Sequence, residues 1–180
     1  MKLDQERIAA EALALVDEQG FEAFNMRALA RRLGVQASAL YWHVGGKDQL
    51  VSMIANGFFQ AAYAEVPPVT GWRDWLLGFG HALRSQLVRH RDAAFLCALA
   101  QPSKDGIDAI ADRLAAPLLE RGLASKEALT YEASVISLTV GWTLYEQSNR
   151  LHDFLAELVG FDRSYTTGLE ALGRGFPDPA

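Results

Sequence analysis

One cysteine, Cys97, in 180 residues leaves no partner for an internal disulfide and too few thiols for a Cys-rich zinc site. Such a composition fits a reducing cytoplasm, the expected location. No apolar run follows the charged N-terminal residues Lys2, Asp4, Glu6, Arg7 and Glu11, so no signal peptide is expected. The uncharged run Ala133 to Tyr145 in the most apolar helical stretch has 13 residues and includes Ser and Thr. That is too short to span a bilayer, and no membrane association is expected. Alternating strand patterns are missing. So are HxxxH and CxxC pairs, and a Ser-centred nucleophile elbow. The strings Gly78-Phe79-Gly80 and Gly173-Arg174-Gly175 follow no strand. His90-Arg91-Asp92 has the letters of a kinase catalytic loop, but without a Gly-rich phosphate loop or a metal-binding DFG it reads as a helix end. His81, His90 and Cys97 do not make a metal site by their spacing. No enzyme activity, no cofactor and no metal is expected.

Half of the residues are hydrophobic and 22% are charged, enough for a full core. The net charge is −5, and its distribution is uneven. Residues 1–47 balance six basic against six acidic groups, and residues 48–180 carry eleven against sixteen. Between Ala23 and Lys47 there are four basic residues (Arg27, Arg31, Arg32, Lys47) and no Asp or Glu. A contact with nucleic acid must therefore be local to this stretch.

The same stretch has the pattern of a helix-turn-helix. Asn25 can cap a helix whose Met26, Leu29, Ala30 and Leu33 form one apolar stripe, and Gly34 stops it. After Gly34, Val35 and Gln36, a second helix of about two turns carries Ala37 to His43, with Val35, Leu40 and Val44 free to pack back. Its other face offers Gln36, Ser38, Tyr41, Trp42 and His43, groups able to reach base edges and phosphates, and the small Ala37 and Ala39 permit close approach. A preceding helix, from Asp4 to before Gly20, supplies Ile8, Ala12, Leu15 and Val16 as the third side of the core. Phe21 and Phe24 pin the turn.

From Lys47 a fourth helix keeps Leu50, Val51, Ile54, Phe58 and Ala62 on one side until Pro67-Pro68 ends it. Further helices are expected over about Trp72–His90, Asp92–Gln101, Asp105–Arg121, Lys126–Asn149 and Ser164–Gly173. Pro117 should kink or split the third of these. The 126–149 helix has two apolar stripes, one through Leu129, Ala133, Ile136, Val140 and Leu144, the other through Val135, Leu138, Trp142 and Tyr145. Two apolar faces imply burial against a second copy of the chain, aided by the last helix with Tyr165, Leu169 and Leu172. The expected fold is all-α: an N-terminal three-helix helix-turn-helix head (1–47), a connecting helix (48–66) and a larger helical body for effector binding and dimerisation (67–180).

The run LGVQASALYWHVGGKDQL resembles the recognition region of the tetracycline repressor (TetR) family of bacterial regulators. WRDWLLGFGHALRSQLVRHRDAAF and LTVGWTLYEQ are similar to the family's ligand-binding body, with Trp72, Asp74, His90-Arg91-Asp92 and Gly141 in register. The resemblance implies DNA contacts at Arg27, Ala37, Ser38, Ala39, Tyr41, Trp42, His43 and Lys47, beside Gln36 from the residue reading. Tyr41 and Lys47 would anchor phosphates. Ala37 stands where tetracycline-binding members carry a base-reading Gln. In the same register Cys97 replaces a magnesium-binding His and Tyr145 a metal-linked Glu. Thiol and phenol are poor ligands for a hard cation, so a metal-free effector is expected. Phe79, Leu83, Cys97, Gln101, Trp142 and Tyr145 would surround it, which implies a hydrophobic or aromatic small molecule held by one or two hydrogen bonds.

The expected function is sequence-specific binding of double-stranded DNA by a homodimer, a repressor released from a palindromic operator by that effector. The alternative is a helical small-molecule-binding protein, or an enzyme, in which the helix-turn-helix is only structural.

Overall fold

The computed structural model describes residues 3–101, 107–148 and 151–179, and every regular element among them is an α-helix. Helix α1 (Gln5–Gln19) begins where the Asp4 carboxylate accepts from the Arg7 backbone N–H at 2.9 Å, and it ends at Gly20, whose φ of 82° suits a residue without Cβ. Helix α2 (Met26–Leu33) begins at Asn25, whose side chain accepts from the Ala28 N–H at 3.0 Å, and stops at left-handed Gly34. Helix α3 (Ala37–Val44) follows without a side-chain cap. Ile8, Ala12, Leu15 and Val16 of α1 are buried with Met26, Leu29 and Ala30 of α2 and with Leu40 and Val44 of α3. The expected three-helix head is therefore present.

Helix α4 (Lys47–Glu65) buries Leu50, Val51, Ile54, Phe58 and Ala62, and packs on α1 and α3 as well as on α5 (Trp72–Val88) and α6 (Ala93–Leu99). The remaining elements are α7 (Ile107–Leu119), α8 (Ser125–Glu146), α9 (His152–Leu158) and α10 (Phe161–Gly175). Asp105, where the expectation started α7, and Asn149, where it ended α8, lie outside the described residues.

Three expectations about the body need correction. Of the kink or split expected at Pro117, the split does not occur: α7 runs unbroken to Leu119, two residues beyond the proline, and Arg121 Nη1 closes this end by donating to Pro117 O at 2.5 Å. Helix α9 was not expected, and α10 starts three residues before Ser164. Helix α9 has seven residues and buries none of them, so there is no core-facing stripe for periodicity to register. On α8, neither predicted stripe is the core face. That face is Ala128, Tyr131, Glu132, Val135, Thr139 and Thr143, all buried. Leu129, Ile136, Val140 and Leu144 flank it half-buried on one side and Leu138 and Trp142 on the other, leaving Thr130, Ala133, Ser137 and Tyr145 exposed. The outward side of α8 is thus formed mostly of small residues.

The body closes where α5, α8 and α10 cross. A Cβ added to Gly80 would lie 2.9 Å from Leu169 Cδ2 and 3.1 Å from the Tyr165 hydroxyl, so glycine leaves room here for both side chains of α10. Tyr165, fully buried, donates its hydroxyl to Gly80 O at 2.8 Å and shares a second 2.8 Å hydrogen bond with Thr139 Oγ1. Outside this point, Arg84 of α5 binds Glu146 of α8 at 2.9 Å and Asp162 of α10 at 2.6 Å. Replacing Tyr165 by Phe removes the hydroxyl and strands buried partners, which should cost about 1–3 kcal/mol. Urea unfolding should show the variant's midpoint lowered with an unchanged slope; an unchanged midpoint would mean that the hydroxyl does not brace the crossing.

Candidate DNA-reading head and effector site

Helix α3 is held by its inner side alone. Leu40 and Val44 are buried, while Tyr41 is 51% and Trp42 83% exposed. An aromatic pair used as core filling would be enclosed, and this one is not. Gln36 and Ser38 are exposed at the helix start, and Ala37 and Ala39 are half-buried there. The His43 ring meets Trp42 edge-on with centroids 5.0 Å apart, and its carbonyl accepts from Gln5 Nε2 at 2.8 Å, which ties the end of α3 to α1. Arg27 is exposed in the first turn of α2.

The four cations of this stretch are not equivalent. Arg32 lies across α1, donating to Glu11 at 2.7 Å and to Glu18 at 2.7 Å. Lys47, expected as a phosphate anchor, has contacts within the chain. Its ammonium is half-buried, donates to Phe24 O at 3.0 Å, and sits 4.2 Å from the Phe21 ring centre. In this structure it fastens the start of α4 to the α1–α2 turn. Arg27 and Arg31 have no ion-pair partner among the described residues and remain as the open cations of this stretch.

Head meets body at the turn between α5 and α6. Asp17 accepts from His90 Nδ1 at 2.9 Å and from the Arg91 backbone N–H at 2.9 Å. Asp92, in the left-handed region at φ 57°, accepts from the Phe21 N–H at 2.8 Å. His90-Arg91-Asp92 is therefore a helix end, as the sequence indicates. From the body side, Gln147 donates to Leu87 O at 2.9 Å and to His90 O at 2.7 Å, and accepts from the Ala94 N–H at 3.2 Å.

The six residues expected around an effector differ in burial and in the elements that carry them. Phe79 and Leu83 are fully buried on α5, Cys97 is half-buried on α6, and burial pushes its thiol up to about 12. Gln101 is exposed beyond α6, its backbone N–H donating to Ser52 Oγ at 2.9 Å. Trp142 is half-buried toward α10, with an indole Nε1 that has no hydrogen-bond partner among the described residues. Tyr145 is 51% exposed on the outer side of α8.

What gathers around Phe79 is different. Tyr63 of α4 stacks on it at 4.8 Å and Trp75 at 5.4 Å, and the Tyr63 hydroxyl donates to Glu132 Oε1. Glu132 is 1% exposed, and its Oε2 has no hydrogen-bond partner among the described residues. Burial raises this carboxyl from 4.5 to about 7, opposed by the Tyr63 hydrogen bond. The sequence does carry a sign of it. Glu132 is an acid on the same helical face as Ala128, Val135 and Thr139, one residue before the uncharged run that starts at Ala133.

A helical DNA-binding protein with an exposed recognition helix is the class that this head and body define. The comparisons give the family. The model for bacterial regulatory proteins of the TetR family matches residues 8–54, and that for the tetracycline-repressor-like C-terminal domain matches residues 66–172. The class A tetracycline repressor from transposon 1721 of Escherichia coli is 32% identical over 149 residues, covering 82% of this chain and 68% of that protein. Among solved structures, a variant TetR from Acinetobacter baumannii AYE in complex with minocycline is 30% identical, with a TM-score of 0.79 and 97% of each chain covered. A possible TetR family transcriptional regulator from Streptomyces coelicolor A3(2) is 27% identical, with a TM-score of 0.78 over 96% of this chain and 98% of that one. The chain belongs to the TetR family and is a DNA-binding transcriptional regulator.

The raised Glu132 carboxyl has a consequence for stability. Between pH 4.5 and about 7 the unfolded chain has released this proton and the folded chain retains it. The group's contribution to stability is therefore full at the acid end, falls as pH rises through that window, and levels off above it, a change of up to about 3 kcal/mol. Urea unfolding at about pH 5 and about pH 8 should show this loss in the parent chain and not in Glu132→Gln. Equal pH dependence in the two would show that the carboxyl is not held protonated.

Proposed function

We propose that this chain is a homodimeric repressor that leaves a palindromic operator when a small molecule binds its body. The reading head would span 1–47, the connecting helix 48–66 and the regulatory body 67–180. The observation that carries the reading is α3 itself, with Leu40 and Val44 enclosed while Tyr41 and Trp42 stand in solvent. Base edges fall to Gln36, Ala37, Ser38 and Ala39, and the backbone to Arg27, Tyr41, Trp42 and His43. Lys47 acts by positioning the α4 start.

Release by a small molecule is supported by relatives such as the class A tetracycline repressor and by the minocycline complex of the Acinetobacter neighbour. Cys97 and Tyr145 argue against a magnesium-dependent ligand here, since neither offers a hard cation an oxygen anion. A metal-free hydrophobic or aromatic effector fits the aromatic surroundings of Phe79. Catalysis forms no part of this reading, which places the protein in the cytoplasm, where its DNA is. No described helix is long and apolar enough to cross a membrane. Dimerisation would use the outward side of α8, where Ala133 and Ser137 let a second helix come close, together with α10.

Gel-shift titration against DNA fragments recovered from a genomic pool tests the regulator. Arg27→Ala should weaken binding to every sequence and lower the salt slope by about one, whereas Gln36→Ala or Ser38→Ala should change sequence preference by about 1–3 kcal/mol per lost base contact. Lys47→Met should reduce head stability and leave the slope unchanged. If Arg27→Ala and Trp42→Ala together bind the selected DNA as the parent does, α3 is not the reading surface. Light scattering tests the dimer, whose interface should bury about 2,000 Å² or more in total; a soluble monomer at micromolar concentration refutes it.

A further inference from the structure

Among the described residues, Glu132 is the only Asp, Glu, Lys or Arg that is fully buried. Such a group has to be compensated, because an unpaired polar atom in an enclosed site costs as much as the hydrogen bond it lacks. Only half of the compensation is present. The Tyr63 hydroxyl satisfies Oε1, and nothing among the described residues satisfies Oε2. Protonation does not remove the deficit, since a carboxyl O–H at Oε2 would itself need an acceptor. Packing does not call for an acid here either, as an apolar side chain of similar length would serve the α8 core face at no electrostatic cost.

The surroundings select the missing partner. Tyr63, Phe79 and Trp75 form one stack, with centroid separations of 4.8, 5.4 and 5.9 Å, and aromatic faces carry negative potential. This stack already attracts one cation of the chain, with the Arg121 guanidinium 5.8 Å from the Trp75 centre. Arg121 donates through Nη1 to Pro117 O and through Nη2 to Val69 O, its buried Nε has no partner among the described residues, and it makes no ion pair with Glu132. A donor with positive charge suits both the unsatisfied oxygen and the rings beside it, whereas a carboxylate or phosphate ligand would meet repulsion from Glu132.

We propose that Glu132 Oε2 is an effector-recognition atom, and that the effector is an aromatic or polycyclic molecule carrying a protonated nitrogen. Its N–H pairs with Oε2 while its ring body lies along the Tyr63–Phe79–Trp75 stack. This rests on the reading of the chain as an effector-controlled regulator and names the chemical class of the effector. The carboxyl, raised by burial to about 7, is brought to its ionised form by a cation that supplies the interaction the site lacks.

Titration calorimetry on the full chain, without DNA and at neutral pH, tests it with matched pairs. Aminoacridine, a cation, is compared with neutral acridine, and naphthylmethylamine with methylnaphthalene. The amines should bind at least about tenfold more tightly than their neutral partners, a difference of about 1.4 kcal/mol. Glu132→Gln should bring that ratio to about one. Should the Gln variant fail to fold by circular dichroism, Glu132→Met removes the charge with a side chain better suited to an apolar core, and the same loss is expected. Equal binding within each pair, a preference that survives removal of the carboxyl, or no binding by either amine overturns the proposal. Gel shifts on the same preparations keep the two readings apart. Protein that binds its selected DNA but ignores the amines refutes the effector class alone, and protein that binds no DNA refutes the regulator.

Discussion

Asp17 and Asp92 face each other across the seam between head and body, and each closes on backbone N–H groups of the other side. Asp17 holds the α5–α6 turn from α1, and Asp92 holds the chain just after α1. A carboxylate bound to a backbone N–H is directional and short, so the turn cannot slide without breaking several charge-assisted bonds together. Gln147 grips the same turn from the end of α8. Three elements, α1, α6 and α8, therefore share one small piece of chain. Any rearrangement of α8 around its core face has a short covalent and hydrogen-bonded route to the head, in addition to α4, which packs on both.

Local chemistry made the head legible. Asp4, Asn25, Gly20 and Gly34 act within a few residues of themselves, and the apolar stripes of α1 and α2 are the faces that the structure buries. Reading failed where a residue's partner is far away in sequence. Nothing near Lys47 predicts that its ammonium turns back 23 residues to Phe24 O, and nothing near Arg32 announces Glu11 and Glu18. Counting apolar residues on α8 likewise selected the wrong faces. The core strip contains Tyr131, Glu132, Thr139 and Thr143, of which Tyr131 is satisfied by Pro177 O, Thr139 by Tyr165 and Val135 O and Glu132 at one oxygen by Tyr63, while Thr143 Oγ1 has no hydrogen-bond partner among the described residues.

The body shows two solutions to the burial of polar atoms. At the α5–α8–α10 crossing, Tyr165, Thr139 and Gly80 O satisfy one another, and the crossing is tight enough that a Cβ at position 80 would press on Leu169 and the Tyr165 hydroxyl. Around Phe79 the aromatic rings are stacked just as closely, but the carboxyl they surround retains an open oxygen. A finished network makes a rigid brace, and an unfinished one makes a place where something else can be recognised.

The inward turn of Lys47 and the clamping of Arg32 also bear on how the head finds its site. A chromosome presents about 10⁶–10⁹ competing non-specific positions, and attraction to them grows with the number of free cations that displace counterions from phosphate. Among the described residues of the head, Arg7, Arg27 and Arg31 are the cations whose side chains carry no ion pair or hydrogen bond, and the overall charge is −5. Each cation turned inward lowers the attraction that all sequences share and leaves a larger part of any discrimination to neutral groups such as the amide, hydroxyl and aromatic side chains exposed on α3.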